Sequence, residues 1–194
     1  MAGASVSGRR FITKQFLILA VLLFGVRAEA QAPMGESKVK AMFVYNFLKF
    51  VEWPVDASAG PKDPFVVLII GDGATADATE SFLEANMIGD RPLVVRRTQS
   101  DPSFAGVRAA FVVERDAKKL HRILAAATAA GVLTIGEGDD FATIGGVIGL
   151  LVENRKVRFD VDTTAAQSAG LRVSSKLLAL TRNVRSSADR RGAP

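Results

Sequence analysis

Gly71-Asp72-Gly73-Ala74-Thr75-Ala76 follows an apolar run and opens a helical pattern, so it fits the spacing G-x-G-x-x-A. Glycines placed in this way let backbone N–H groups and a helix N-terminus approach a pyrophosphate. The rest of a dinucleotide fingerprint is missing. Arg96 and Arg97 stand at the end of the next strand pattern, where such a site needs an acid for the ribose. Alone, the motif also marks a tight strand-to-helix turn. We adopt the turn and assign no cofactor.

The other chemistry-bearing residues are sparse. The chain has one histidine, His121, and no cysteine, which leaves no thiol nucleophile, no disulfide and no thiolate metal site. His121 is flanked by Lys118, Lys119 and Arg122, which repel a cation, and its pattern is that of an exposed helix residue. Asp139-Asp140 lies in a Gly-bounded loop without the D-x-[DN]-x-[DN]-G frame of a calcium loop. Asp160 and Asp162 flank a strand face with Arg158, which reads as a solvated charge ladder. No G-x-S-x-G elbow occurs, and Ser174-Ser175 sits at a helix start, where capping is the default. No catalytic residue and no metal ligand is assigned, and the expectation is a protein that is not an enzyme.

The elements that hold these residues follow a charged, apolar leader. Arg9, Arg10 and Lys14 precede an apolar run from Phe16 to Val26, and Ala28-Glu29-Ala30 has the small-x-small form of a peptidase site. This predicts a secretory signal over 1–30, cleaved after Ala30, and a periplasmic mature chain without membrane insertion. The run is short of the roughly 20 apolar residues that a spanning helix needs. Loss of those residues takes the net charge from +5 to +2, because the leader holds four of the basic residues and one acid. Only Arg182, Arg185, Arg190 and Arg191 suggest a basic stripe, and they read as a frayed terminus, so no nucleic-acid partner is expected. The domain is placed at 31–185, with a disordered basic tail at 186–194.

Within the domain, Glu36 to Trp53 is apolar nearly all round and predicts one buried helix stopped by Pro54. Phe65 to Ile70 is a continuous apolar run, the pattern of a central strand covered on both faces. Further strands are predicted at Leu93–Arg96, Ala109–Val113 and Val132–Ile135, with helices over Ala74–Met87 and Asp116–Ala129. Gly146–Val152 and Lys156–Val161 form a hairpin joined by Glu153-Asn154-Arg155. Thr163 or Thr164 caps a short helix, and Ser174 or Ser175 caps a last one. The expected fold is α/β: a single-domain, three-layer sandwich with a mostly parallel sheet of about six strands, an antiparallel C-terminal hairpin, and helices on both faces.

Ligands of open α/β sheets sit beyond the carboxyl ends of the parallel strands. Here those ends carry Gly71, Asp72, Gly73, Glu114, Gly136 and Glu137, the expected binding residues for a ligand or partner loop. Trp53 is a competing anchor, since aromatic residues are favoured at interfaces. It also reads as a cap on the core.

Two segments resemble the YfiR-like periplasmic proteins. The first is Lys38-Val39-Lys40-Ala41-Met42-Phe43-Val44-Tyr45-Asn46-Phe47-Leu48-Lys49-Phe50-Val51-Glu52-Trp53-Pro54. The second runs from Gly145-Gly146-Val147-Ile148 through Val157-Arg158-Phe159-Asp160-Val161 to Ala165-Ala166-Gln167-Ser168-Ala169-Gly170-Leu171-Arg172-Val173-Ser174-Ser175-Lys176-Leu177-Leu178. The resemblance implies a periplasmic regulator that represses an inner-membrane diguanylate cyclase through the cyclase's periplasmic sensor region, with effects on cyclic-di-GMP and biofilm growth. It also implies a capacity to form a homodimer. A disulfide switch does not carry over, because the chain has no cysteine. The alternative is a small-ligand-binding or envelope-sensing module without a cyclase partner.

Overall fold

A computed structural model describes residues 35–53 and 63–186. The predicted signal and most of the basic tail lie outside the described residues. Helix α1 (Glu36–Phe50) is followed by strand β1 (Val51–Glu52), then β2 (Phe65–Ile70), α2 (Ala74–Glu84), β3 (Met87–Ile88) and β4 (Arg91–Thr98). Next come β5 (Ala109–Val112), α3 (Ala117–Ala129), β6 (Leu133–Glu137), β7 (Ile148–Glu153) and β8 (Lys156–Asp162). The chain closes with α4 (Thr163–Ser168), β9 (Arg172–Val173), α5 (Ser175–Leu178) and β10 (Asn183–Arg185).

The main sheet has eight strands in the order β10-β8-β7-β6-β5-β2-β4-β3. β4, β2, β5, β6 and β7 are mutually parallel. In chain order this is the 2-1-3-4-5 arrangement of a doubly wound sheet, whose direction of winding reverses between β2 and β5. β8 is antiparallel to β7, and the short β3 is antiparallel to β4.

The unbroken apolar run of β2 is explained by two cores. Phe65, Val67 and Ile69 enter one, with Val44, Phe47 and Leu48 of α1 and Ala76 and Leu83 of α2. Val66, Leu68 and Ile70 enter the other, with Leu120, Ile123, Leu124 and Ala127 of α3. Side chains alternate across a strand, so only a run without polar residues satisfies both faces.

Several local expectations are corrected. The first helix stops at Phe50, and Val51–Glu52 pairs antiparallel with Arg172–Val173 as a separate two-stranded sheet. The α4 helix is capped by neither threonine. Asp162 Oδ1 accepts the Ala165 amide at 2.9 Å. Asp160 and Asp162 are buried, at 5 % and 1 % exposure, and form no solvated ladder. Asp160 is met by Arg182, whose Nε lies 3.0 Å from Oδ1, and by the Asn183 amide at 3.1 Å. Arg182 and Arg185 are likewise not a frayed end, because residues 183–185 add β10 parallel to β8. The last helix is Ser175–Leu178, with Ser174 as its cap.

Candidate functional site

Three segments lie side by side beyond the carboxyl ends of neighbouring strands: Gly71–Gly73 after β2, Glu114 after β5, and Gly136–Glu137 at the end of β6. Gly71 has φ +96, and a Cβ there would lie 2.2 Å from the Val113 carbonyl oxygen. Only glycine fits so close a backbone approach. At Gly73 a Cβ would meet nothing within 4 Å, so the space before α2 is open. Helix α2 starts there without a side-chain cap, and its first amide groups face outward with the positive end of the helix dipole.

Lys40 of α1 reaches this end of the sheet. Its Nζ lies 2.6 Å from Glu137 Oε1 and 2.6 Å from Glu36 Oε1. Thr75 Oγ1, in the first turn of α2, donates to the same Glu137 oxygen at 3.1 Å. Glu137 thus ties the first helix, the second helix and β6 together. Burial of Lys40 works against its charged form, but hydrogen bonds to Glu137 and Glu36 and their charges outweigh it. The ammonium is held above the ordinary lysine value.

Arg97, on β4, meets three carboxylates: Asp72 and Asp77 at 2.8 Å and Glu80 at 2.9 Å. The hydrogen bond to Asp77 above all holds its guanidinium in the charged form. Glu114 turns back on its own loop. Its Oε1 accepts the Arg115 and Asp116 amides at 2.8 and 2.9 Å, and its Oε2 lies 2.7 Å from Lys119 Nζ. Lys119 first, then the Asp116 amide, holds the Glu114 carboxyl below the usual range. Around this end, Arg97 is shared by three carboxylates, Lys40 by two, and Lys119 serves one. Over the ends of β2, β5 and β6 the balance is acidic, which suits a basic partner surface there.

Two of the predicted residues have other surroundings. Gly136 makes room for a ring: a Cβ there would lie 2.2 Å from Phe141, and one at Gly146 would lie 2.1 Å from the opposite edge of that ring. Trp53 lies at the other end of the sheet. Its Nε1 donates to the Arg108 carbonyl, just before β5, and its ring meets Phe65 edge-on at 5.0 Å. The structure therefore gathers Gly71, Asp72, Gly73, Glu114, Gly136 and Glu137 at one end and places Trp53 away from them. Among the described residues no cluster of three or more metal-ligating side chains occurs, and His121 is exposed on α3.

Sequence reasoning missed Lys40. A signal was present, since Lys40 falls with Val44, Phe47 and Leu48 on the buried stripe of α1 and follows Glu36 by four residues.

A family model described as DUF4154, YfiR/HmsC-like, matches residues 37–182. The chain belongs to the YfiR/HmsC-like family. The fold is also similar to solved structures. A conserved domain protein from Vibrio cholerae o1 biovar eltor has TM-score 0.52 and 12% identity, over 78% of this chain and 61% of that one. An ABC domain from Streptococcus pneumonia, solved in complex with L-Trp, has TM-score 0.51 and 8% identity, over 76% of this chain and 60% of that one. This chain spans about three fifths of the length of each. At such identities the likeness concerns the α/β fold. Among the described residues no helix is long and apolar enough to cross a membrane.

Proposed function

We propose that this YfiR/HmsC-like chain is a periplasmic regulator that represses an inner-membrane diguanylate cyclase by binding the cyclase's periplasmic sensor region. The observation that carries this reading is the family match, which spans 37–182 and so takes in α1, the main sheet through β8, and the closing helices. The three-part leader, with cleavage after Ala30, supports export to the compartment where such a sensor region is found. For the contact surface we propose the carboxyl end of the sheet, where Asp72, Gly73, Glu114 and Glu137 lie among surplus carboxylates.

Recovery of tagged protein from detergent-solubilised envelopes, with partners identified by mass spectrometry, tests the first part. A diguanylate cyclase with a periplasmic region is the expected partner, and deletion of the regulator is expected to raise cyclic-di-GMP. Repeated recovery of no membrane signalling protein removes the repressor reading. The surface is tested by Asp72→Lys with Asp77→Lys, which reverses charge at positions 56% and 65% exposed. Affinity for the sensor region should fall by about tenfold or more. Unchanged affinity moves the contact elsewhere.

A further inference from the structure

Between the first turns of α1 and the tip of the β7–β8 hairpin lies an open groove of about 460 Å³. Val39 and Phe43 form one wall, and Val152 and Val157 form the other. The two valines are partners across the hairpin, and Val152 is 43% exposed. A volume of this size falls within the roughly 300–1,000 Å³ of sites that hold a ligand or peptide side chains.

Two cations and one acid line the groove. Arg155 and Lys156 line its lip and have no ion-pair partner among the described residues. Its one acid, Glu36, is already engaged by Lys40 at 2.6 Å. The hairpin keeps this charge against its own backbone preference. Asn154 and Arg155 have φ +50 and +60, as in a two-residue turn that favours Asn-Gly. Asn154 fits that preference, while arginine occupies the place where glycine is least strained.

We propose that this groove docks an acidic segment of a partner protein, setting aliphatic side chains between Val39, Phe43, Val152 and Val157 and carboxylates against Arg155 and Lys156. The apolar walls supply contact area and the unpaired cations select the sign of the partner. The proposal holds whether or not the partner is a cyclase.

The test is fluorescence anisotropy of purified protein with a labelled, blocked nine-residue peptide alternating glutamate and leucine, beside its lysine–leucine counterpart. The glutamate peptide should bind, the lysine peptide should not, and binding should weaken several-fold between about 50 and 500 mM salt. Val152→Asp should lower affinity about tenfold. Arg155→Gly should lower affinity while raising the melting temperature, a combination that misfolding does not produce. Equal binding of the two peptides, binding of neither, or indifference to Val152→Asp overturns the proposal. So does self-association, or adhesion to phosphatidylglycerol vesicles, that disappears with the same substitutions in place of peptide binding; the groove would then belong to a second copy or to the membrane.

Discussion

Lys40 and Glu137, 97 residues apart in sequence, meet at 2.6 Å between the first helix and the end of the fourth parallel strand from the β4 edge. The lysine side chain is 10% exposed and the glutamate 32%, so the pair is shielded on one side and wet on the other.

Glu137→Ala should therefore destabilise the fold by about 1–2 kcal/mol, less than the roughly 3–5 kcal/mol seen when a fully buried pair is broken. Lys40→Met, which replaces the ammonium by an apolar group of similar length, should cost less. The two effects should be non-additive in urea titrations, because each substitution removes the same contact. Lys40 has a raised folded-state value, so its contribution is complete below the ordinary lysine value of 10.5 and fades as the pH climbs through the raised one. The gap between wild type and Lys40→Met should close only in strongly alkaline solution.

Glu114 gives the opposite pH dependence. Its carboxyl is held low by Lys119 and the Asp116 amide. That stability is present above the ordinary value of 4.5 and is lost as the pH falls through the lowered one. Glu114→Gln should cost about 1 kcal/mol at neutral pH. On acidification the difference from wild type should disappear, which thermal melts across pH 2–7 (about that range) would read.

Gly136→Ala should be costly although the added group is one methyl. Phe141 is 2% exposed and sits between Gly136 and Gly146, so its ring has no side toward which to yield. Overpacking of this kind costs about 1–3 kcal/mol. Phe141→Ala, which empties the same space, should cost about 3–5 kcal/mol. Combining Gly136→Ala with Phe141→Leu should recover part of the loss in chemical denaturation, because the smaller side chain makes room for the methyl.

Arg182→Ala should leave Asp160 buried without its guanidinium. Asp160 is 5% exposed, so the loss is expected to be about 2–4 kcal/mol. Hydrogen exchange should localise the weakening to β10 and β8, which Arg182 helps to join. Asp160→Asn should be milder, since the Asn183 amide retains an acceptor.

How much of this could be read in advance follows from where the determining contact lies. The two-faced burial of β2 is written in six consecutive apolar residues, and the parallel core followed from it. β1, β3 and β9 have two residues each and carry no periodicity, so their pairing is set only by what approaches them. Asp160 and Asp162 alternate with apolar residues in the manner of a wet face. Their burial depends on Arg182, 22 residues downstream, and on the turn into α4, neither of which a local pattern carries. At the site, the carboxyl-end residues were legible because strand ends follow from strand patterns. Lys40 was not, because its counter-ion Glu137 comes from the far half of the chain.

The position of Trp53 has a spectroscopic consequence. It is the chain's one tryptophan, and it stacks edge-on against Phe65 while its indole N–H is held by the Arg108 carbonyl. Intrinsic emission excited at the indole band thus reports from the amino end of the sheet alone. A partner that settles on the carboxyl end should leave the spectrum unmoved, whereas unfolding should shift it to the red. Binding and denaturation are therefore separable in one cuvette, without an attached dye.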